Sequence, residues 1–351
     1  MNCVIDGLQI NGISSCVPKA VVKNDRNQLD LPQEEIDKLV NSIGIKEKRV
    51  ADLDVTAADL CYKAGDKLLN ELNINRDEVD AVIFMTQTPD YLMPANAPIL
   101  QHRLGLKKDA ICFDMGLACS GYVYALFVAS SILQNPAINN VLLLDGETAS
   151  KFTSKKDYVN YPLYGDAGTA TLIGKGSIQN TSYFSLYTDG SGYDAVMIES
   201  GGYRNPISIQ GLEELPRDSG NYGRSNDVYM DGLKVFNFTM KEVPKSVKKT
   251  LEFAETTIDA IDYFVFHQSN KFMTDFFAKK LKIPLDKMLY SIQKFGNTSS
   301  ASIPLTISVN HQVFEHKENS TILLSGFGAG LSWGNALVIL DKTLIIPPIE
   351  M

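Results

Sequence analysis

One cysteine of the sequence stands where a nucleophile could work. Cys119 lies in the segment FDMGLACSGYVYALFVASSILQ (113–134), where a strand-like run ends and a helix-like run begins. Its neighbours Ala118, Ser120 and Gly121 are small enough to let a substrate reach the sulfur. The run that follows is apolar almost all round, which indicates a buried helix whose N-terminus points inward. Since that end carries unpaired N–H groups and partial positive charge, we expect it to lower the pKa of Cys119.

A cysteine nucleophile needs a partner side chain, and the sequence has four histidines. His267 ends the apolar run YFVF and is followed by Gln268, Ser269 and Asn270. We therefore expect His267 to emerge at the carboxyl end of a strand, among polar neighbours. The other three lie in polar, helix-like segments and are expected at the surface: His102, His311 and His316.

Glycine-containing segments supply further candidates. In KFGNTSSAS, Gly296 allows a tight backbone and Asn297 offers a neutral amide that can donate and accept hydrogen bonds. The glycines of SGFGAGLSWG (325–334) present backbone N–H groups suited to an oxyanion or to a tight turn. The segment YGDAGTATLI (164–173) is expected to be another turn, and it matches neither a P-loop nor a dinucleotide fingerprint.

Each candidate also has a purely structural explanation. Cys119 could pack as a small apolar side chain, as we expect for Cys112 in the preceding strand. Asn297 could be a turn residue or a helix cap. Whether these side chains lie close together in space therefore depends on how the helices and strands that carry them are arranged.

Helices and strands alternate around the candidates. The patterns predict helices over 56–72, 95–103 and 120–134, and strands over 79–85, 110–115 and 141–144. The runs DAVIF and VLLL are continuously apolar, as expected for parallel strands that are covered on both faces. The chain is therefore predicted to be an α/β protein.

The second half of the chain repeats the first. VDAVIFMTQT (79–88) resembles IDYFVFHQSN (261–270), and NNVLLLDG (139–146) resembles NSTILLSG (319–326), at nearly equal spacing. Such self-similarity indicates two copies of one unit.

We place these copies at residues 1–175 and 176–351. In this arrangement Cys119 and the segment 295–302 hold matching places in the two copies. Both places lie at the carboxyl ends of strands, where open sheets of this kind bind ligands.

Composition limits the class of protein. The 351 residues allow two domains or one large two-part fold, and a net charge of −8 argues against nucleic acid as a partner. No stretch approaches the roughly 18 unbroken apolar residues of a membrane span, and the N-terminus lacks the basic start of a secretory signal. We therefore expect a cytoplasmic protein. Five scattered cysteines without a CxxC pair argue against a disulfide framework and a zinc ribbon.

One long segment fits no regular element. Residues 200–228 are rich in Gly, Pro, Ser and Asn and have little periodicity. Their length predicts a lid or a substrate-facing loop, and a mobile surface insertion is the alternative.

The motifs together resemble those of one known family. ACSG with Cys119, HQSN with His267, GNTSSAS with Asn297 and GFGAGLSWG occur in the order, and at about the spacing, of the β-ketoacyl-acyl-carrier-protein synthase III family. The resemblance runs from GISSCVP through GIKEKRV, TQTPDYLMP, GDAGTATL and TDGSGYD to the end of the chain. It implies the thiolase fold, in which two pseudo-symmetric βαβαβ halves form a five-layered αβαβα core.

The resemblance also implies a reaction in fatty acid or related biosynthesis. Cys119 would take an acyl group from a thioester of coenzyme A or acyl-carrier protein. Malonyl-acyl-carrier protein would then lose carbon dioxide, and its carbanion would attack the acyl-cysteine to give a 3-oxoacyl thioester. His267 and Asn297 would hold the enolate oxygen, while the backbone N–H groups of Cys119 and Ala329 would form an oxyanion hole. No metal or redox cofactor is implied.

Two further features follow from the resemblance. Met93 matches the place where family members insert a side chain into the acyl channel of the partner subunit, which implies a homodimer. The tryptophan and arginine that often clamp the adenine of coenzyme A are replaced here by Lys38 and Ser42. The acyl donor is therefore open between coenzyme A and the carrier protein.

Asn270 and Lys271 begin the segment NKFMTDFFAKKLK, which follows His267 closely. We expect an apolar helical face and a basic one that steers an acidic carrier protein toward the site, a solvated helix face being the alternative. The apolar face is expected to contain Phe272, Met273, Phe276 and Phe277, and the basic one Lys271 and Lys282, flanked by Lys279 and Lys280.

Three other functions stay open at this stage. An acyltransferase of the same fold would pass the acyl group to an alcohol or amine without decarboxylation, although the presence of both His267 and Asn297 favours condensation. A papain-type hydrolase would have cysteine, histidine and asparagine in the same order, but ACSG lacks that family's aromatic flank. A non-catalytic partner subunit of a synthase pair is the third, and such subunits usually lack the nucleophile.

Overall fold

The computed structural model describes residues 1–217 and 221–351. Its α-helices are α1 (Gln33–Ile43), α2 (Ala57–Glu71), α3 (Asn96–Arg103), α4 (Gly121–Ile132), α5 (Gly232–Phe253), α6 (Lys271–Leu281), α7 (Ile292–Phe295) and α8 (Ser302–Val309). The helices predicted over 56–72, 95–103 and 120–134 are thus confirmed as α2, α3 and α4. Helix α2 begins at a capping box, in which Thr56 and Asp59 exchange side-chain and backbone hydrogen bonds.

The strands of the first half are β1 (Asn2–Asp6), β2 (Leu8–Val17), β3 (Val21–Lys23), β4 (Glu47–Arg49), β5 (Ala81–Met85), β6 (Ile111–Met115), β7 (Asn140–Thr148) and β8 (Asp166–Lys175). Those that follow are β9 (Thr181–Thr188), β10 (Val196–Met197), β11 (Leu215–Pro216), β12 (Tyr222–Gly223), β13 (Tyr229–Met230), β14 (Tyr263–Phe266), β15 (Asn319–Gly328), β16 (Ser332–Asp341), β17 (Leu344–Ile345) and β18 (Ile349–Glu350).

Two large sheets carry the predicted repeat. The first has the order β17-β2-β8-β7-β5-β6, and the second has the order β1-β9-β16-β15-β14. In the first sheet β5 pairs in parallel with β7, and β7 pairs antiparallel with β8. In the second, β14 pairs in parallel with β15, and β15 pairs antiparallel with β16. The two similar sequence units therefore form two sheets of matching connectivity.

Helices cover the sheets on both sides and fill the space between them. The central helices α4 and α8 contact strands of both sheets. On the outer faces, α2 packs on the first sheet and α5 on the second. Because α4 is surrounded by protein, its side chains are apolar nearly all round, as its sequence predicted. The result is the five-layered αβαβα arrangement expected for the fold.

The two chain ends cross between the sheets. The N-terminal strand β1 pairs with β9 in the second sheet, while β17 and β18 pair with β2 in the first. Each end thereby ties one sheet to the other half of the chain. The division at residues 175 and 176 stays a prediction.

The turn expected over 164–173 is wrong. Residues 166–175 form β8, which is buried over nearly its whole length. A side chain at Gly168 would place its Cβ 2.4 Å from the backbone nitrogen of Cys61 in α2. The glycines therefore allow a helix to approach a buried strand closely, which the local sequence pattern does not distinguish from a turn.

The long segment 200–228 contains the short strand pair formed by β11 and β12, and residues 218–220 of it lie outside the described residues. At its two ends, β10 pairs with β13. Val228 and Met230 line the main cavity, as do Val196 and Met197. Among the described residues of the segment, only the last, Val228, lines the cavity, so both the substrate-facing loop and the surface insertion stay predictions.

Across the described ranges, no helix combines the length and apolar character that a membrane crossing requires.

Candidate active site

Cys119 lies between the end of β6 and the start of α4. Its sulfur is 3.7 Å from the Ser299 hydroxyl oxygen, which belongs to the second half of the chain. Behind the cysteine, a Cβ at Gly121 would lie 2.4 Å from the Met85 methyl group, so a side chain there would displace the start of α4. The prediction that Cys119 lies at the N-terminal end of a buried helix is confirmed.

Two glycines of the segment 325–334 make room for the cysteine. A Cβ at Gly328 would lie 2.8 Å from Cys119 Cβ and 3.2 Å from its sulfur. A Cβ at Gly326 would lie 3.0 Å from Ser120 Cα. These glycines therefore allow the end of β15 to pass directly against the turn that holds Cys119. This contact is a role that the sequence did not predict for them.

His267 follows β14 directly, as predicted, and is buried. Its backbone N–H donates to Ser325 O at 2.8 Å, and its ring Nδ1 lies 2.8 Å from Ser302 Oγ. The Ser302 oxygen also accepts the Gln268 backbone N–H at 3.3 Å, so its own proton is available for Nδ1. This network assigns the ring proton to Nε2 and makes His267 a hydrogen-bond donor.

The imidazole of His267 is held in its neutral form. Burial lowers its pKa to about 3, and a hydrogen bond to the Ser299 backbone opposes this only in part. The ring packs edge-on against Phe327, with the ring centroids 5.3 Å apart. At neutral pH the site therefore contains an uncharged donor in place of an imidazolium.

Asn297 is fixed by its backbone and by its side chain. Its N–H donates to Leu163 O at 2.8 Å, and its carbonyl accepts the Gly165 N–H at 3.1 Å. Its side-chain Oδ1 accepts the Ser299 N–H at 2.9 Å. Because the amide oxygen is used in this way, the Nδ2 group is left as the donor. A Cβ at Gly296 (φ 68°) would lie 2.7 Å from Leu163 O, so glycine is required there.

A single cavity of about 130 Å³ brings the candidates together. Cys119, His267 and Asn297 line it, together with Ser299 and Ala329. Cys119 is supplied by the first half of the chain, and the other four by the second. The expected convergence of a thiol, an imidazole and a carboxamide is therefore observed.

The expected lowering of the Cys119 pKa is wrong. Burial raises the pKa of its thiol to about 12, and the hydrogen bonds with Ser299 and with its own backbone N–H offset only part of this. Glu147 and Asp145 act in the same direction as burial. The desolvation of the sulfur outweighs the favourable end of α4, so the resting residue is a thiol.

Two buried acids behind the cysteine were not predicted. Asp145 and Glu147 lie at the end of β7, and burial raises the pKa of each to about 8. Asp145 Oδ1 accepts the Ser300 hydroxyl at 2.5 Å, while its Oδ2 has no partner among the described residues. Glu147 accepts the Gln87 N–H at 2.9 Å and the Thr88 hydroxyl at 3.0 Å. The signal was an acidic residue directly after the apolar run VLLL.

Gln268 is a second residue whose role sequence reasoning missed. It is fully buried, and its Oε1 accepts the backbone N–H groups of Ser291 and Ile292 at 3.2 and 3.3 Å. These residues begin α7, which leads into the turn that carries Asn297. Gln268 thus links the strand end that bears His267 to the segment that bears Asn297.

Three predicted residues lie outside the cavity lining. Met93 is 86% exposed on the surface of the single chain. Asn270 caps α6, accepting the Met273 N–H at 2.9 Å, and Lys271 forms an ion pair with Asp275. Their roles in an acyl channel and in carrier-protein binding stay predictions.

The predicted apolar face of α6 is only partly buried. Met273 and Phe277 are buried, but Phe272 is 56% exposed and stacks on Phe236 of α5, with centroids 6.3 Å apart. Phe272 is thus an exposed member of the apolar face that the sequence predicted. It lies at the surface beside Met273, which lines the cavity.

Comparison with known proteins gives a consistent result. Residues 113–190 match the family model for 3-oxoacyl-[acyl-carrier-protein] synthase III, and residues 251–340 match the model for its C-terminal part. The chain is 35% identical to the β-ketoacyl-[acyl-carrier-protein] synthase III of Streptococcus uberis, over 92% of this chain and 96% of that protein. It is 33% identical to the Rhodopirellula baltica protein of the same name, over 95% and 98%.

Solved structures resemble the fold over its full length. The crystal structure of 3-oxoacyl-(acyl-carrier protein) synthase from Burkholderia xenovorans matches with a TM-score of 0.93 at 36% identity, covering 100% of this chain and 99% of that one. Both family matches fall on segments that carry candidates of the cavity: Cys119 in the first, and His267, Asn297 and Ala329 in the second.

Proposed function

The chain belongs to the 3-oxoacyl-[acyl-carrier-protein] synthase III family, and on this premise we propose that Cys119, His267 and Asn297 carry the two half-reactions of that enzyme. An acyl primer is transferred to Cys119 and then condensed with malonyl-acyl-carrier protein. The observation that supports these roles is the single cavity into which the two halves of the chain bring the three side chains.

In the first half-reaction, Cys119 Sγ attacks the carbonyl carbon of an acyl thioester. The bond from that carbon to the donor sulfur breaks, and an acyl-Cys119 thioester forms. Since the resting cysteine is a thiol, its proton leaves as the new bond forms and ends on the released donor thiol. The backbone N–H groups of Cys119 and Ala329 are the proposed donors to the oxyanion of the tetrahedral intermediate.

In the second half-reaction, the malonyl carboxylate leaves as carbon dioxide and its bonding electrons form an enolate. Asn297 Nδ2 and His267 Nε2–H are the proposed donors to the enolate oxygen. Both are neutral, and Ser299 and Ser302 hold their other polar atoms, Asn297 Oδ1 and His267 Nδ1. The enolate carbon then attacks the acyl carbonyl, the bond from that carbon to Cys119 Sγ breaks, and the released thiolate takes up a proton from water.

The proposed chemistry uses thioester substrates and requires no metal or redox cofactor. The malonyl group is carried by acyl-carrier protein, for which the surface around Asn270 and Lys271 is a proposed contact. We also propose that two copies of the chain associate, with Met93 of each directed to the other's acyl channel.

The assignment of Cys119 is tested by weighing the protein after incubation with a panel of acyl thioesters. We expect a mass increase equal to one acyl group in the wild type and none in Cys119→Ala. An adduct that persists in Cys119→Ala would contradict the assignment.

The roles of the two donors are tested by separating the half-reactions. Asn297→Ala removes the proposed enolate donor together with the acceptor of the Ser299 N–H. We expect the acyl adduct still to form, while release of carbon dioxide from malonyl-acyl-carrier protein falls about 100-fold, the effect of roughly 3 kcal/mol. If the wild type forms the adduct but releases no carbon dioxide, the chain is a non-decarboxylating acyltransferase of the same fold.

A further inference from the structure

One buried hydroxyl in the cavity wall has neither a role in the proposed reaction nor a hydrogen-bond partner among the described residues. It belongs to Tyr164, which lines the cavity and is only 6% exposed. Burial raises the pKa of this phenol, so the group is a neutral O–H donor at physiological pH. A tyrosine hydroxyl that is removed from water usually gains a partner in exchange, because an unpaired one is destabilising.

Two other tyrosines in the described part of the chain are buried, and they show the usual arrangement. The Tyr122 hydroxyl oxygen lies 3.0 Å from that of Thr171, and the Tyr161 hydroxyl donates to Gln28 Oε1 at 2.8 Å. Both hydroxyls thus keep a hydrogen bond inside the protein. Tyr164 differs from them, and its open side is the cavity.

The other polar side chains of the wall do not compete for this role. Apart from the reacting residues and the serine beside the sulfur, they are Thr239, Ser269 and Gln87. The Thr239 hydroxyl donates to Val235 O at 2.8 Å, and the Ser269 hydroxyl donates to the Met273 sulfur at 3.3 Å. The side chain of Gln87 is exposed. Tyr164 therefore supplies the buried donor that is still free to bind a ligand.

The position of this donor is fixed before any ligand binds. The backbone of Tyr164 forms a β-bridge with Asn297, and its ring packs edge-on against Phe152, with the ring centroids 5.4 Å apart. Negative charge on the sulfur of Cys119 would raise the phenol pKa further, which places the ring near the nucleophile. A donor held in this way loses little conformational freedom when it binds an acceptor.

Tyr164 belongs to an apolar part of the wall. The lining residues that share its hydrophobic cluster are Phe152, Val196, Val228 and Met230. This part is suited to a hydrocarbon chain, and the Tyr164 hydroxyl is the polar group within it.

A second apolar part of the wall leads to the surface. Its residues Val235 and Met273 lie next to Phe236 and Phe272, which are exposed and stack on each other. The arm that carries the acyl group must extend from Cys119 to solvent, so it fits this part. The acyl chain itself then lies in the part that contains Tyr164.

We propose that the preferred primer is an acyl chain that bears an oxygen beyond the thioester carbonyl, as a hydroxyl or a ketone, and that this oxygen accepts a hydrogen bond from Tyr164. The inference rests on the proposed function and names its substrate class. A plain hydrocarbon chain would displace water from the hydroxyl and leave it unpaired. A site with such a donor therefore rejects the analogue that lacks the oxygen more strongly than an apolar pocket rejects a chain of the wrong length.

Acylation of Cys119 by matched pairs of pantetheine thioesters tests this proposal. The pairs are 3-hydroxybutyryl with butyryl, 4-oxopentanoyl with pentanoyl, and 5-oxohexanoyl with hexanoyl, and adduct formation is followed by intact mass after rapid quenching. The three oxygen positions scan the distance from the thioester. We expect the second-order rate constant of at least one oxygenated thioester to exceed that of its plain counterpart at least tenfold.

Tyr164→Phe removes the hydroxyl and nothing else. It should reduce the rate ratio of the preferred pair at least tenfold, because the oxygen of the chain then enters an apolar pocket without a donor. Comparing ratios within a pair cancels any contact with the arm, which both thioesters share. The matched control is Tyr62→Phe in α2, which does not line the cavity and should keep the wild-type ratio.

The stability of the free protein gives an independent check. Because the Tyr164 hydroxyl has no partner in the described chain, we expect the urea midpoint of Tyr164→Phe to equal or exceed that of the wild type. Tyr122→Phe loses the hydrogen bond with Thr171 and should have a lower midpoint. A Tyr164→Phe variant destabilised as much as Tyr122→Phe would overturn the proposal, since its hydroxyl would then have a partner in the fold.

The outcomes separate this inference from the proposed function. If none of the six thioesters acylates Cys119, the proposed function fails and the inference fails with it. If the plain chains react as fast as the oxygenated ones, or Tyr164→Phe keeps the wild-type ratio, the inference is overturned while the proposed function stands. An equal loss of rate for both members of each pair would place the hydrogen bond on the arm and would overturn it as well.

Discussion

At the scale of single residues, the site is assembled from groups that burial keeps neutral. The pKa of Cys119 is raised to about 12, and that of His267 is lowered to about 3. Asp145 and Glu147, just behind the cysteine, have pKa values raised to about 8. An enclosed site of this kind makes ionisation costly before substrate binds, and it strengthens each hydrogen bond to an anion that forms during the reaction.

The buried acid Asp145 gives a prediction for stability against pH. Its pKa is about 8 in the folded protein and about 4 in an unfolded chain. Between these values the native state keeps a proton that the unfolded state loses, so the free energy of unfolding falls as the pH rises, by at most about 1.4 kcal/mol per unit. Asp145→Asn has no such proton. We expect its stability in urea to fall less than that of the wild type between pH 5 and pH 8.

The control for this measurement is Asp286→Asn, which changes an exposed carboxyl. It should follow the wild-type pH profile. Glu147 is retained in both variants and titrates in the same range, so part of the slope should persist in Asp145→Asn. Parallel profiles for Asp145→Asn and the wild type would contradict the raised pKa of Asp145.

At the scale of elements, the sequence allowed prediction wherever one local pattern was sufficient. The continuous apolar runs predicted β5 and β7, and the all-round apolar run predicted the buried helix α4. The predictions that failed concerned features that depend on contacts between segments distant in sequence. Gly168 in β8 suggested a turn, because nothing in its neighbourhood shows that α2 packs against it. Cys119 was expected to have a lowered pKa, because the helix N-terminus beside it is evident from neighbouring residues. The burial that raises its pKa comes from segments distant in sequence.

The residues of the site can likewise be divided into those that the local sequence indicated and those that only the folded structure shows. Cys119 and His267 were recognisable from small or polar residues at the ends of apolar runs, and Asn297 from its glycine-containing segment and its place in the family motif. Ser299 and Ser302, which orient the amide and the imidazole, were not, because serine is common in turns and only the folded network gives it a partner. The repeat predicted that the turn with Cys119 and the segment 295–302 hold matching places in the two copies. Residues of both segments do line one cavity.

The close approach of β15 to the nucleophile gives a prediction at this scale. In Gly328→Ala the new methyl group would lie 2.8 Å from Cys119 Cβ and 3.2 Å from its sulfur, so the cysteine or the strand must shift. We expect acylation of Cys119 to slow at least tenfold, since a displacement of about 1 Å from the productive geometry can cost about 100-fold in rate. The rate of adduct formation, followed by intact mass, measures the effect.

Gly190→Ala is the matched control for that substitution, because a Cβ at Gly190 would meet no atom within 4 Å. It should acylate at the wild-type rate. Comparable thermal unfolding of the two variants would show that the effect of Gly328→Ala is local. A Gly328→Ala variant that acylates normally would show that β15 does not constrain the sulfur.

At the scale of the whole molecule, each half of the chain contributes different residues to the site. The first half brings the nucleophile on its central helix, and the second brings the donors and the helices α5 and α6. The chain ends cross between the two sheets, with β1 in the second and β17 and β18 in the first. The halves are therefore joined at their edges as well as across the central helices, which keeps the nucleophile in register with its donors.

The single chain also leaves an apolar surface at one edge of the first sheet. Strand β6 is the edge strand, and its Ile111 is 49% exposed. The segment after β5 exposes Tyr91, Leu92 and Met93 by 59, 79 and 86%. An open sheet edge beside exposed apolar side chains is a surface on which a second chain can pair.

Association through this surface can be tested with one substitution on it and one away from it. We expect the wild type to scatter light as a particle of about twice the 38.7 kDa of the chain. Met93→Asp places a charge where an apolar contact is expected, so it should shift the population toward monomer and slow acylation by longer acyl chains. Leu53→Asp changes a residue that is 94% exposed elsewhere and should remain a dimer. A monomeric wild type would show that each chain builds its acyl channel alone. A Met93→Asp variant as dimeric as Leu53→Asp would show that Met93 does not hold the two chains together.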